Sequence, residues 1–219
     1  MTTTLIVPGL HSSGPDHWQT WFEEQIPGTV RVIQSDWSNA NLAEWSRRVR
    51  RDIARNPGRH ILVAHSFGVL AAVHAAQEFG DRIQGALLVA PAAPDKFNVT
   101  ADVPSTPLPF PAVVVASSND PWMSLWSAAE LADRWGADFV NLGEAGHINA
   151  EAGFGAWPEG LGLLDRLRKR SSSDGDLRAS TSDSLIRARP LAWRPETAGA
   201  KDGRTGQRTS SAASRLGVG

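Results

Sequence analysis

A chain of 219 residues with 41% hydrophobic content is long enough for one α/β domain with a substantial core. Its formal net charge of -1 argues against a general polyanion or nucleic-acid binder, and the lack of cysteine rules out disulfides and thiolate chemistry. The N-terminus shows no basic segment ahead of a long apolar run, and no run approaches the ~20 residues that cross a bilayer, so neither a signal peptide nor a membrane partner is expected and the location expected is cytoplasmic.

Over the first 170 residues, short apolar runs alternate with helical patterns, which predicts βαβ units and a mostly parallel sheet of about six strands with helices on both faces. The first strand, 4–7, runs into the loop Val7-Pro8-Gly9-Leu10-His11-Ser12-Ser13-Gly14-Pro15-Asp16-His17-Trp18. Gly9 and Gly14 match the spacing of the phosphate-binding G-x-x-x-x-G-K-[ST] loop, but Pro15 and Asp16 stand where Lys and Ser/Thr belong. A carboxylate there repels phosphate, so a nucleotide site is rejected. No dinucleotide fingerprint or clustered metal-ligand spacing occurs either, so neither cofactor nor metal is expected.

A helix is expected over 16–25, a strand over 29–33 and a second helix over 41–55. Asn41 can cap that helix, with Glu44 in capping-box position and Leu42, Trp45, Val49 and Ile53 on one stripe. The strand 60–64 then leads into Ala64-His65-Ser66-Phe67-Gly68 and a helix over 67–79. A serine on so tight a strand-to-helix turn reads as a nucleophile elbow, in which small residues two before and two after it avoid the neighbouring strand. The pattern is A-x-S-x-G, and a serine that only caps a helix is its plain alternative.

Strand 85–90 is followed by a Pro-rich stretch, 91–111, either shaping a pocket over the sheet's C-terminal edge or serving as a plain crossover. Strand 112–116 runs into Ser117-Ser118-Asn119-Asp120-Pro121-Trp122, a helix is expected over 121–135, and strand 138–142 runs into Gly143-Glu144-Ala145-Gly146-His147-Ile148-Asn149. Asp120 and His147 thus each follow a strand, where the elbow serine needs an orienting acid and a base. Chain order Ser66, Asp120, His147 is that of α/β-hydrolases. Glu144 is the reserve acid, while His60, His65, His74 and Asp36 are less well placed. Donors for an oxyanion are expected from the Phe67 and Leu10 backbone N–H groups, with His11 second to Leu10.

A last helix is expected over 158–169. The remaining residues, 171–219, carry eight Lys/Arg against five Asp/Glu and few large apolar side chains, which predicts a disordered tail behind a 1–170 domain. Of the nine tryptophans, most should pack helices on the sheet and one or two line a pocket.

The loop Pro8-Gly9-Leu10-His11 through Asp16-His17-Trp18-Gln19, together with Asp36-Trp37, Ala64-His65-Ser66-Phe67-Gly68, Asn119-Asp120-Pro121 and Gly146-His147-Ile148-Asn149, resembles the small serine hydrolases related to retinoblastoma-binding protein nine and the bacterial YdeN proteins. The resemblance covers about residues 3–168. It implies a compact α/β-hydrolase fold without a large cap, a Ser66–His147–Asp120 triad and esterase-like activity; the small size of the domain and its limited lid material suggest a small ester or amide as substrate. Monomer is the default state. A protein-binding module on the same fold, with little or no catalysis, is the alternative that the resemblance allows.

Overall fold

In the computed structural model residues 2–180 are described, those from 172 onward by backbone alone. Their strands are β1 (Thr2–Val7), β2 (Val30–Arg31), β3 (Arg59–His65), β4 (Ile83–Val89), β5 (Ala112–Ala116) and β6 (Asp138–Asn141). All pair in parallel, in the order β2-β1-β3-β4-β5-β6. The order reverses between β1 and β3, so the loops leaving these strands diverge and open a crevice at the sheet's C-terminal edge. Val7 of β1 and Ala64 of β3 are paired, which brings both loops out at one level.

Side chains alternate across the sheet and build two apolar layers. Leu5, Val7, Leu62, Leu88 and Val114 pack beneath α2 (Leu42–Arg55), α3 (Phe67–Ala76) and α4 (Leu125–Trp135), through Trp45, Ile53, Leu70 and Leu131 among others. Ile6, Val63, Leu87 and Val89 face the other way, against Trp18 and Phe22 of α1 (Trp18–Gln25) and Leu164 and Leu167 of α5 (Pro158–Ser180). The fold is that of a compact α/β hydrolase, and the described residues insert no cap domain into it. No helix among them is long and apolar enough to cross a membrane.

Where expected boundaries shift, a local cause is visible. β2 shrinks to two residues, Val30 and Arg31, opposite Leu5 and Ile6, with the Val32 N–H donating to the Ile6 carbonyl at 2.9 Å just beyond them. Asn41 accepts the Glu44 N–H at 3.0 Å as cap of α2. The reciprocal bond of a capping box is missing: the Glu44 carboxylate is taken by Ser35 and the Asn41 N–H by the Asn39 carbonyl. α4 begins at Leu125, capped by Ser124, because residues 121–123 are held in a bend that follows Asp120. α5 continues past residue 169 to Ser180, with Ser171 buried and its Oγ donating to the Leu167 carbonyl at 2.7 Å. The expectation of disorder for 181–219 lies outside the described residues.

Of the two alternatives for the Pro-rich stretch, its residues Ala92, Lys96 and Phe97 favour the shaping of a pocket. Its first half, including a 3-10 turn at Pro94–Phe97, reaches the crevice, and its second half packs on the end of α4, where Trp135 Nε1 donates to the Pro104 carbonyl. Four tryptophans (Trp18, Trp45, Trp135 and Trp157) are buried, whereas Trp122 and Trp126 are exposed.

Helix α3 sits so close to β1 that a Cβ on Gly68 would lie 2.3 Å from the Pro8 carbonyl oxygen and 2.5 Å from that of Val7. Both contacts are backbone, so neither can yield cheaply. Gly68→Ala is therefore expected to lower the thermal midpoint by roughly 10 °C or more, read by circular dichroism.

Candidate active site

Ser66 joins β3 to α3 with φ 55 and ψ -127, a conformation that L residues rarely adopt. Several contacts force it. The Ser66 N–H donates to the Val89 carbonyl at 3.1 Å, and its carbonyl accepts from Val69 at 3.0 Å. Gly9 presses in from the loop after β1: a Cβ there would lie 2.7 Å from Ser66 Cβ. The hydroxyl is thereby pushed off the end of the sheet. Unlike a helix cap, it accepts no backbone N–H of α3.

The structure brings Ser66, His147 and Asp120 together. His147 Nε2 lies 2.9 Å from Ser66 Oγ, and His147 Nδ1 lies 2.9 and 3.0 Å from the two Asp120 oxygens. An ionised carboxylate only accepts, so Nδ1 carries the ring proton and Nε2 is left to accept from the serine hydroxyl. The Asp120 side chain is nearly sealed, at 3% exposure, and Oδ1 also accepts the Trp122 N–H at 2.8 Å. That second bond bends the chain at Pro121. Asp120, and not the reserve Glu144, is the carboxylate on His147.

Two backbone donors expected for an oxyanion are left unengaged. Phe67 opens α3, and among the described residues neither its N–H nor that of Leu10 has an acceptor. The His11 N–H, second choice in the sequence, is consumed by the Trp37 carbonyl at 2.9 Å. This bond gives the Asp36-Trp37 pair a structural task. Asp36 accepts from the Ser38 backbone and hydroxyl, bonds that hold its carboxyl below the usual range, and Trp37 packs edge-on against Trp45.

Further residues hold the His147 loop, and periodicity in the sequence did not expose them. His65 Nε2 donates to the His147 carbonyl at 3.0 Å, and Trp18 Nε1 donates to the next carbonyl, that of Ile148, at 2.9 Å. Asn119 Oδ1 accepts the Gly146 N–H at 2.7 Å, and Ser117 Oγ accepts that of Ala145 at 3.0 Å. Gln19 ties the strand ends together, its Nε2 donating to the Val63 and Val7 carbonyls at 3.0 and 3.3 Å. The available signal was the clustering of His17-Trp18-Gln19 beside the glycine loop.

Above Ser66 lies a cleft of about 360 Å³ whose walls include Leu10, His17, Phe97, Trp122 and Glu151. Lys96 Nζ donates to the Trp122 carbonyl at 2.7 Å and bridges its two sides. Among the described residues no group of three His, Cys, Asp or Glu side chains could hold a metal ion.

The serine hydrolase family model matches residues 4–166. The chain belongs to the serine hydrolase family. This serine hydrolase is similar to a YdeN-like hydrolase of Pectobacterium atrosepticum, with 41% identity and a TM-score of 0.75 over 78% of this chain and 92% of that one. The ydeN product of Bacillus subtilis is 18% identical with a TM-score of 0.65, covering 76% of this chain and 98% of that one. Mouse alpha/beta hydrolase domain-containing protein 10, at 16% identity and a TM-score of 0.55 over 81% and 90% of the two chains, shares the fold. No curated protein matches the sequence.

Two histidines beside the site are kept neutral. Burial, then Arg31 and His147, lowers His17 to about 4. His65 is pushed well below its ordinary value by burial, then by His17 and His147. Because the folded values are depressed, the unfolded chain takes up more protons below about pH 6.5, and stability falls as pH drops through the window down to about 4. Urea unfolding is expected to show His17 alone removing about 2 kcal/mol between about pH 7.5 and pH 5, and His17→Asn should flatten that slope.

Proposed function

We propose that this serine hydrolase cleaves small esters, and amides of similar size, through an acyl-enzyme on Ser66. The observation that carries the reading is the continuous hydrogen-bonded line from Asp120 through His147 to a strained serine hydroxyl that faces an open cleft. His147 Nε2 takes the Ser66 proton as Oγ attacks the substrate carbonyl carbon. The carbonyl oxygen becomes an oxyanion held by the Phe67 and Leu10 N–H groups, with the N-terminus of α3 favouring its charge. As the tetrahedral adduct collapses, the bond to the leaving alcohol or amine breaks and that group takes the proton from His147. Water then repeats the sequence on the acyl-serine, releasing the acid and restoring Ser66.

Asp120 orients the imidazole and stabilises its charged form without itself taking the proton. A cleft of about 360 Å³ is at the small end for ligand sites, which supports compact substrates ahead of lipids or peptides. The cytoplasm is the proposed compartment, on the composition of the chain. No observation favours a pure protein-binding role, since a docking surface needs no aligned serine, histidine and carboxylate.

Kinetics on short p-nitrophenyl esters, together with labelling by a fluorophosphonate probe, test the assignment. Ser66→Ala is expected to abolish labelling and to lower kcat by at least roughly 10⁴, and Asp120→Asn to lower it by roughly 10³ or more with the fold intact. A folded protein that neither labels nor turns over any ester would refute the proposal.

A further inference from the structure

We propose that His17 is a substrate-binding donor that selects esters whose alcohol half carries a second, neutral oxygen. The inference rests on the hydrolase reading above. His17 is only 5% exposed, yet its ring lines the cleft. Its Nδ1 accepts the Gln19 N–H at 3.1 Å, as the cap of α1. In a neutral imidazole an accepting Nδ1 places the proton on Nε2. Among the described residues that Nε2–H has no acceptor, although the rest of the loop is densely bonded: Ser13 to Gln19, Thr20 to Gly14, and Arg31 to the Ser13 carbonyl.

Position decides which part of a substrate it meets. The His17 ring lies 4.9 Å from that of His65, which lies 4.9 Å from that of His147. His17 and His147 line one cleft and are near enough for their charges to interact, so we assign His17 to the half of the substrate that takes the His147 proton. Charge decides the kind of oxygen. Burial holds the ring neutral at working pH, so it offers a directed N–H and no cationic attraction for a carboxylate or phosphate. An ether or hydroxyl oxygen on the departing alcohol, as in esters of glycols, glycerol or sugars, fits such a donor. Sites built around a donor reject analogues lacking the acceptor more strongly than an apolar wall does.

The test compares n-butyl butanoate with 2-methoxyethyl butanoate, which differ by one methylene replaced by oxygen, each corrected for its rate of alkaline hydrolysis. The unmodified enzyme is expected to favour the methoxyethyl ester by about tenfold in kcat/KM. His17→Phe should lose that preference. His17→Asn keeps an oxygen for the Gln19 N–H but falls short of the cleft, so it should keep the melting temperature and still lose the preference. A preference retained in His17→Asn, or absent from the unmodified enzyme while both esters turn over, would overturn the assignment of His17. Failure to hydrolyse either ester, together with no fluorophosphonate labelling, would overturn the hydrolase reading and this inference with it.

Discussion

The site depends on a steric constraint: two glycines allow three backbones to meet where any side chain would hold them apart. Gly68 lets α3 seat against the Val7 and Pro8 carbonyls, and Gly9 lets the loop after β1 reach Ser66. Between them the serine is driven to positive φ and its hydroxyl is lifted clear of the sheet. The strain is local and is offset by the apolar layers that anchor β3 on both faces. The same approach brings the Gly9 loop, which carries Leu10, against the Ser66 turn, from which Phe67 opens α3.

His147 is positioned by different means. Its loop has no regular structure apart from a short 3-10 turn at Ala150–Ala152, and Gly146 and Ile148 both take positive φ. Precision comes from buried donors that reach consecutive carbonyls: His65 from the end of β3 and Trp18 from α1. Asn119 and Ser117, next to Asp120, grip the N–H groups just before His147. The loop bearing Asp120 therefore also fixes the loop bearing His147, and the Trp18 bond, which is fully buried, gains most from its shielding from water.

Much of this was legible because α/β chemistry follows strand ends. Ser66, Asp120 and His147 each stand just past an apolar run, and parallel strands carry all such positions to one edge. Gly9 was legible for the same reason. The side chains that hold the loops were not, since Trp18 and Ile148 are 130 residues apart and no local period reports their contact. His65 read as a bystander because a tight turn sends it away from Ser66, and that same turn aims it at the His147 carbonyl. The start of α4 was misplaced because Asp120-Pro121 has the form of a helix start, while Asp120 is already engaged by His147 and Trp122. Edge strand β2 and the reach of α5 depend on tertiary partners, which propensity does not contain.

The most direct measurement is a rapid-quench reaction with p-nitrophenyl acetate followed by peptide mass spectrometry. A burst of p-nitrophenol close to one equivalent is expected, with an acetyl group on the peptide containing Ser66 that disappears as turnover proceeds. Steady turnover with no acetylated Ser66 peptide, or acetyl found on another residue at a rate matching turnover, would contradict the nucleophile assigned to this site.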